Sequence, residues 1–310
     1  MLRIVVLGAA AGGGFPQWNC NLESSRRARA GDPAARPRTQ SSLAVSADGE
    51  RWFLLNASPD LRQQIDATPE LHPRSGKRHS PIAGVVLTNA DVDHVAGLLT
   101  LRESQPLVVY ATPRVQGALR SNSIFNVLNP DFVDRIDLDL GAALELRARD
   151  GAASGLVVEA FTVPGKVALW LEDPTAGEDF GTTDEDTIAL ELSAREGEAR
   201  FFYIPGCAAM TPALAARLEG APLVFFDGTL WRDDEMIAAG VGVKTGKRMG
   251  HVSMSGADGS IAVFRNLGVA RKVFIHVNNT NPALLDDSPE RVEVEAAGWE
   301  VAHDGMEIRL

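Results

Sequence analysis

The stretch Thr88–Leu99, TNADVDHVAGLL, decides how the rest of the chain is read. The apolar run GVVL leads into it, and VAGLL, the apolar start of a helix, closes it. Ionisable groups therefore gather at the carboxyl end of a strand, where α/β sheets bind their ligands. Neither Asp93 nor His94 is easily explained as core filling. One reading makes Asp93 the cap of a helix beginning near His94, with the imidazole simply exposed. The other makes the pair part of a metal site. The companions favour the metal: His276 ends the run KVFIH, and Asp227 ends PLVFFD. His251 sits in MGHVSMSG, ahead of the apolar helix ADGSIAVFRNLG, and the chain has only six histidines. Asp, His and His converging from strand ends form a face with open positions, the set that suits non-haem ferrous iron. Zinc usually takes a set richer in nitrogen or sulfur.

The composition of the remaining chain fits such a site in a folded enzyme. The 310 residues are enough for one large domain or two ordinary ones, and 45% are hydrophobic. A net charge of −11 argues against a general nucleic-acid or anionic-membrane surface. Two cysteines, Cys20 and Cys207, cannot build a disulfide framework or a cysteine-only zinc site, which fits a reducing compartment. No apolar run approaches the roughly 18 residues of a membrane span. The opening MLRIVVLGAAAGGGF imitates a secretion signal only loosely, because it runs into a glycine loop and the aromatic segment FPQW. A cytoplasmic protein is expected.

Short β-branched runs recur, among them RIVVL, WFLLN, LVVYA, VALWLE, TIALELS, RFFYI and MEIRL, each bounded by turn formers. Ser58-Pro59, Thr112-Pro113, Thr211-Pro212 and Ser288-Pro289 read as helix starts, a hydroxyl cap followed by proline at the first helical position. Together these predict an α/β protein with more than one sheet and no repeat or linker. GAAAGGG, Gly8–Gly14, lacks both the GxGxxG spacing and the Lys-Ser/Thr ending of phosphate loops, and reads as a tight turn with exposed backbone. Residues 23–39, ESSRRARAGDPAARPRT, carry five arginines and few apolar groups, and predict a mobile arginine-rich loop. That loop is either plain solvated chain or a flap beside an anionic substrate.

Long ordered motifs then extend the pattern across the whole chain: VVLGAAAGGGFPQWNC, LLNASPDLRQQI, VLTNADVDHVAGLLTLRE, YATPRV, FTVPGK, YIPGC, FFDGTLW, MGHVSMSG and FIHVNNTNP. In these the sequence resembles the metallo-β-lactamase superfamily, and most closely the branch that serves biosynthesis of the cofactor pyrroloquinoline quinone. The resemblance implies a single domain over 1–310, an αβ/βα sandwich of two mixed sheets flanked by helices, with the metal at one edge. Against the superfamily signature HxHxDH, this chain reads Asn89, Asp91, Asp93 and His94. Lys166 falls where a further histidine belongs, Cys207 falls on the aspartate that bridges two metals, and His276 matches the terminal histidine. A two-metal hydrolase site is thereby reduced to one metal, held by Asp93, His94 and His276, with Asp91 as a further candidate ligand.

The implied reaction is an iron- and dioxygen-dependent hydroxylation. Its substrate is the tyrosine ring of a small cross-linked Glu-Tyr precursor cut from a ribosomal peptide. Fe(2+) is the expected cofactor, and other divalent metals can substitute. His251 is the candidate base, oriented by Asp227. Lys166 is the candidate counter-charge, and Asn89, Asn279 and Lys166 are the candidate substrate contacts. His251 as a fourth ligand stays open as the alternative. A carrier of the quinone or its precursor, and a residual hydrolase, are the competing functions. Other proteins of the same biosynthesis are the implied partners, and a homodimer is compatible. Many members of the branch carry a CxCxxC zinc site after PQWN. Here those positions are Cys20, Leu22 and Ser25, so no structural zinc is expected near Cys20, since one thiolate cannot close a four-coordinate site.

Overall fold

The computed structural model describes residues 1–177 and 179–310. Its first sheet takes β1 (Arg3–Gly8), β2 (Ser42–Ser46), β3 (Trp52–Leu55), β4 (Ile82–Val86), β5 (Leu107–Ala111) and β6 (Val133–Asp137). The second takes β7 (Ala143–Arg147), β8 (Ala153–Thr162), β9 (Ile188–Ala194), β10 (Arg200–Ile204), β11 (Leu223–Asp227), β12 (Arg271–Ile275) and β13 (Trp299–Val301). The chain then returns to the first sheet with β14 (Glu307–Arg309). Strand orders are β14-β1-β2-β3-β4-β5-β6 and β13-β12-β11-β10-β9-β8-β7. Each sheet has an antiparallel half, where hairpin-like neighbours pair, and a parallel half, β3 to β6 and β10 to β13.

Alternation along the strands builds the layers. In β11, Leu223 and Phe225 join the core between the sheets, while Val224 and Phe226 face the helices outside. In the first sheet Val86 points inward, and Val85 and Leu87 pack outward against the helix residues Leu61, Val115 and Leu119. A slip of one residue would exchange the two faces of a strand, so burial on both sides fixes the register. The result is a helix–sheet–sheet–helix sandwich of two mixed sheets. No helix among the described residues is long and apolar enough to cross a membrane.

Three of the four Ser/Thr-Pro starts cap their helices: Thr112 accepts from Val115 N, Thr211 from Leu214 N and Ser288 from Arg291 N. Ser58 does not, because its hydroxyl donates to Gln64 Oε1 and the helix starts later, at Leu61. VALWLE is not a strand. Its centre, Leu169–Leu171, is one 3-10 turn. The turn is held from outside: Leu169 N donates to Asp91 Oδ1 and the Trp170 indole to Ala90 O.

The arginine-rich segment is also corrected. Glu23–Arg29 form a helix, and the arginines are committed to structure. Arg27 pairs with Asp32 and Asp287, Arg36 pairs with Asp286, and Arg38 is buried against the carbonyls of Ala302 and Leu284. The partners at 284–302 are remote in sequence, so composition alone could not reveal them.

Candidate metal centre and substrate pocket

The parallel halves place four strand ends together, and the candidate residues lie on the turns that follow them. Asp93 and His94 follow β4, Cys207 follows β10, Asp227 ends β11 and His276 follows β12. Asp91, not Asp93, stands at the N-cap of the short helix Val92–Val95, and it makes no side-chain cap bond. That leaves the Asp93 carboxylate for His276, whose Nε2 lies 3.0 Å away. Gly97 lets this helix sit against the chain after β3. There Ala57 N donates to His94 O and Gly97 N to Ala57 O, and a Cβ on Gly97 would collide with that backbone.

Ligating atoms of Asp93, His94 and His276 lie within 4.8 Å of one another. The orientation of His94 is determined by Asn89. Asn89 Oδ1 accepts from Asp91 N at 2.9 Å, which identifies it as the oxygen, and it also lies 2.7 Å from His94 Nδ1. His94 Nδ1 therefore carries the proton and Nε2 the lone pair. Nε2 is buried with no hydrogen-bond partner among the described residues. A buried nitrogen acceptor left without a donor costs stability unless a cation or another partner meets it. It points to a metal.

His276 gives the same indication. It adopts φ +59°, a left-handed conformation rarely seen outside glycine, as constrained functional positions often do. Its Nδ1 is 2.8 Å from Thr229 Oγ1, whose hydroxyl lies 2.7 Å from Asp227 Oδ1. The hydroxyl lies within hydrogen-bond reach of Asp227 Oδ1, His276 Nδ1 and the His276 carbonyl, and Nε2 faces Asp93. Two electron-rich atoms at 3.0 Å need a proton or a cation between them.

The electrostatics agree with this. Burial works against the charge on Asp93, but the fields of His94 and His276 and the hydrogen bond from His276 outweigh it, holding the carboxyl well below its usual range. Burial pushes His94 down to about 4, so this ring is neutral at neutral pH. Burial opposes the charge on His276 too, but the hydrogen bond and the field of Asp93 win and raise it. Deprotonated Asp93 and neutral His94 are the forms that ligate metals.

Asp227 and His251 form a second pair beside the first. Asp227 Oδ2 accepts from Cys207 N and lies 2.7 Å from His251 Nδ1. Oδ1 accepts from the backbone N–H and the hydroxyl of Thr229. All the acceptor positions of this fully buried carboxylate are thus in use. Ligand atoms of Asp227, His251 and His276 also lie within 4.8 Å of one another, a second group able to hold a metal. The Asp227 oxygens, however, are already engaged by these four donors. Asp227 fixes the proton on His251 Nδ1 and leaves Nε2 as the acceptor. Cys207, which the resemblance matches to the bridging aspartate, is buried, and burial pushes its thiol up to about 12. The thiol donates to Ala209 O at 3.2 Å and stays neutral.

A pocket of about 360 Å³ opens over this floor, within the range of small-molecule sites. Asp93, His94, His276, His251 and Thr229 line it, together with Ala11 and Gly12 of the glycine loop. Gly12 packs directly over the Asp93 carboxylate. Lys166, Leu169, Met236, Lys244 and Met249 line the pocket as well.

Several sequence expectations change here. Asp91 lines the pocket but falls outside the three-residue cluster, because its carboxylate is turned to Leu169 N and toward Lys166 Nζ at 3.9 Å. Asn89 does line the pocket, and its carbonyl oxygen also supports His94. Asn279, expected at the substrate, lies outside the pocket lining: its Oδ1 accepts from Gln17 N and Ser25 Oγ. That network occupies the Cys20–Ser25 region, where zinc would need two more thiolates. None of the five arginines of residues 23–39 lines the pocket. Thr229, which joins Asp227, His251 and His276, was missed, as was Lys244. FFDGTLW contained Thr229 two residues after Asp227, but nothing in a lone threonine signals such a role.

A sandwich of two mixed sheets with Asp and His at the carboxyl strand ends defines a class. The beta-lactamase superfamily domain matches residues 51–277, and the chain belongs to that superfamily. The coenzyme PQQ synthesis protein B of Xanthomonas oryzae pv. oryzae is 55% identical over 309 residues, covering all of both chains. That of Gluconacetobacter diazotrophicus is 56% identical over 99% of each. The crystal structure of Zn(2+)-bound PqqB from Methylobacterium extorquens superposes with a TM-score of 0.93 at 54% identity, over 99% of this chain and 100% of that one. Within the superfamily, the chain is a member of the coenzyme PQQ synthesis protein B family.

Proposed function

We propose that this chain acts in synthesis of the quinone cofactor PQQ, as a single-metal oxygenase that hydroxylates the tyrosine ring of a small cross-linked Glu-Tyr precursor. The observation that carries the reading is the orphaned Nε2 of His94 beside Asp93 and His276, a donor set fitted to one divalent ion. When bound, a ferrous ion supplies dioxygen activation at the positions this three-residue face leaves open. Zinc, which the Methylobacterium extorquens relative binds, fits the same donors without redox chemistry.

The chain's own groups prepare the substrate. A phenol has a pKa near 10, so its ring is activated at neutral pH only with a base or cation beside it. His251 offers Nε2 as that base, with Nδ1 held by Asp227 at 2.7 Å. Lys166 stabilises phenolate or carboxylate charge from the wall. Hydrolysis by two metals is disfavoured, because the positions that would hold the second ion are Asn89, Asp91, Lys166 and Cys207, and each makes other contacts.

Anaerobic reconstitution with ferrous iron, followed by oxygen uptake with the Glu-Tyr compound, tests this. One iron per chain and substrate-dependent uptake are expected. His251→Ala should keep its iron and lose turnover by about 10²-fold or more. Tight retention of the compound without oxygen uptake would make the protein a carrier, and two ions with hydrolysis a hydrolase. Loss of iron from His251→Ala would put His251 among the ligands.

A further inference from the structure

We infer that Lys244 is a second anion-binding group of this pocket, and that with Lys166 it selects ligands carrying two carboxylates. The inference rests on the pocket being the substrate site proposed above. Lysine is scarce in this chain: five in 310 residues, of which two line this one cavity. Arginines here are largely taken up in ion pairs, such as Arg248 with both oxygens of Glu172 at 3.0 and 2.8 Å. Lys244 has no carboxylate within ion-pair distance among the described residues. Lys166 has only a long approach to Asp91, at 3.9 Å, and donates to Val167 O.

The two ammonium groups also share one neighbourhood. After the hydrogen bond from Arg248, and against the effect of burial, the charges of Lys244 and Lys166 both help hold the Glu172 carboxyl below its usual range. Glu172 is only a distant counter-charge to them: each of its oxygens accepts from Arg248, and neither lysine comes within ion-pair distance of it. The acids of the pocket are committed as well, Asp93 to His276 and Asp91 to Leu169 N. Two like charges facing one cavity with no close counter-ion repel each other, and a bound anion relieves that repulsion. The protein as a whole carries −11, so a doubly anionic ligand enters against its overall charge unless cations mark the site. Lys166, beside Asp91, takes one carboxylate, and Lys244 takes the second.

The test uses glutarate and its mono-amide, glutaramate, titrated calorimetrically into the zinc-loaded full chain. Both probes keep one carboxylate, so their ratio isolates the second. A charge-assisted contact predicts that wild type prefers glutarate by about tenfold or more. In Lys244→Met that preference should collapse to near one, and in Lys244→Arg it should return. Zinc content and melting temperature of each variant establish that it is folded. An unchanged preference in Lys244→Met, or none in wild type, overturns the inference. Oxygen uptake plays no part in this measurement, so failure of the hydroxylation reading and failure of the anion-binding reading are separable.

Discussion

The resemblance to two-metal hydrolases puts Asn89 where they carry a histidine, and in this chain it supports the neighbouring His94. Its Oδ1 takes the His94 Nδ1 proton at 2.7 Å and so aims the lone pair of Nε2 at the metal position. Supports of this kind typically change metal affinity by about 10–100-fold. Asn89→Leu should therefore weaken metal binding by that factor in chelator competition. Asn89→Asp, which keeps an acceptor there, should hold affinity close to wild type. Unchanged affinity in Asn89→Leu, together with a raised KM for substrate, would show instead that the side chain contacts substrate. At this scale the ionisable residues were legible, because Asp93, His94, Asp227 and His276 sit at strand ends where apolar patterning stops. The roles of Asn89 and Thr229 were not. Each depends on which atom faces which, and that follows from rotamers set by segments far apart in sequence.

Between strand ends and pocket lies the segment 164–187, which carries Lys166, Leu169 and Trp170 over the site. Its fastenings around residues 169–172 include Leu169 N to Asp91 Oδ1, the Trp170 indole to Ala90 O, and Arg248 to Glu172. Arg248 also stacks over the Phe180 ring, 4.0 Å from its centroid. A half-buried bidentate pair with a ring beneath it holds more firmly than an isolated surface ion pair. Arg248→Gln should speed amide hydrogen exchange across residues 168–177 by roughly tenfold while β9 to β12 exchange as before. Equal exchange rates in the two proteins would show that the segment is held without this pair.

Sequence patterning failed in the same region because VALWLE has strand composition, while its backbone partners are Asp91 and Ala90 rather than a strand. It also passed over β6 and β7, whose VDRID and ALELR carry charges at sheet edges and lack a clean apolar face. The central strands were readable because burial on both faces leaves them almost wholly apolar.

At the scale of the molecule, the two sheets meet in one core and in one metal site. Inward residues of both sheets, such as Val86 and Tyr110 from the first and Leu190 and Phe225 from the second, belong to a single cluster. A polar strut crosses it: the buried Tyr203 hydroxyl contacts Asn56 Nδ2, whose Oδ1 accepts from Thr88 N, while Thr88 O accepts from Ile188 N. The candidate ligands are divided in the same way. Asp93 and His94 follow a strand of the first sheet, and His276 follows one of the second, with the rings of His94 and His276 edge to face at 5.2 Å. Neither half keeps its inner face buried without the other, so the chain should unfold in a single calorimetric transition, as one domain. A metal that binds only the assembled site should raise that one transition as its free concentration rises, by about 2.7 kcal/mol at a hundred times Kd. With Asp93→Ala the rise should shrink, because one of the two sheets' contributions to the site is weakened. Two resolved transitions, with metal shifting only one of them, would show that the halves fold separately and that the metal does not tie them together.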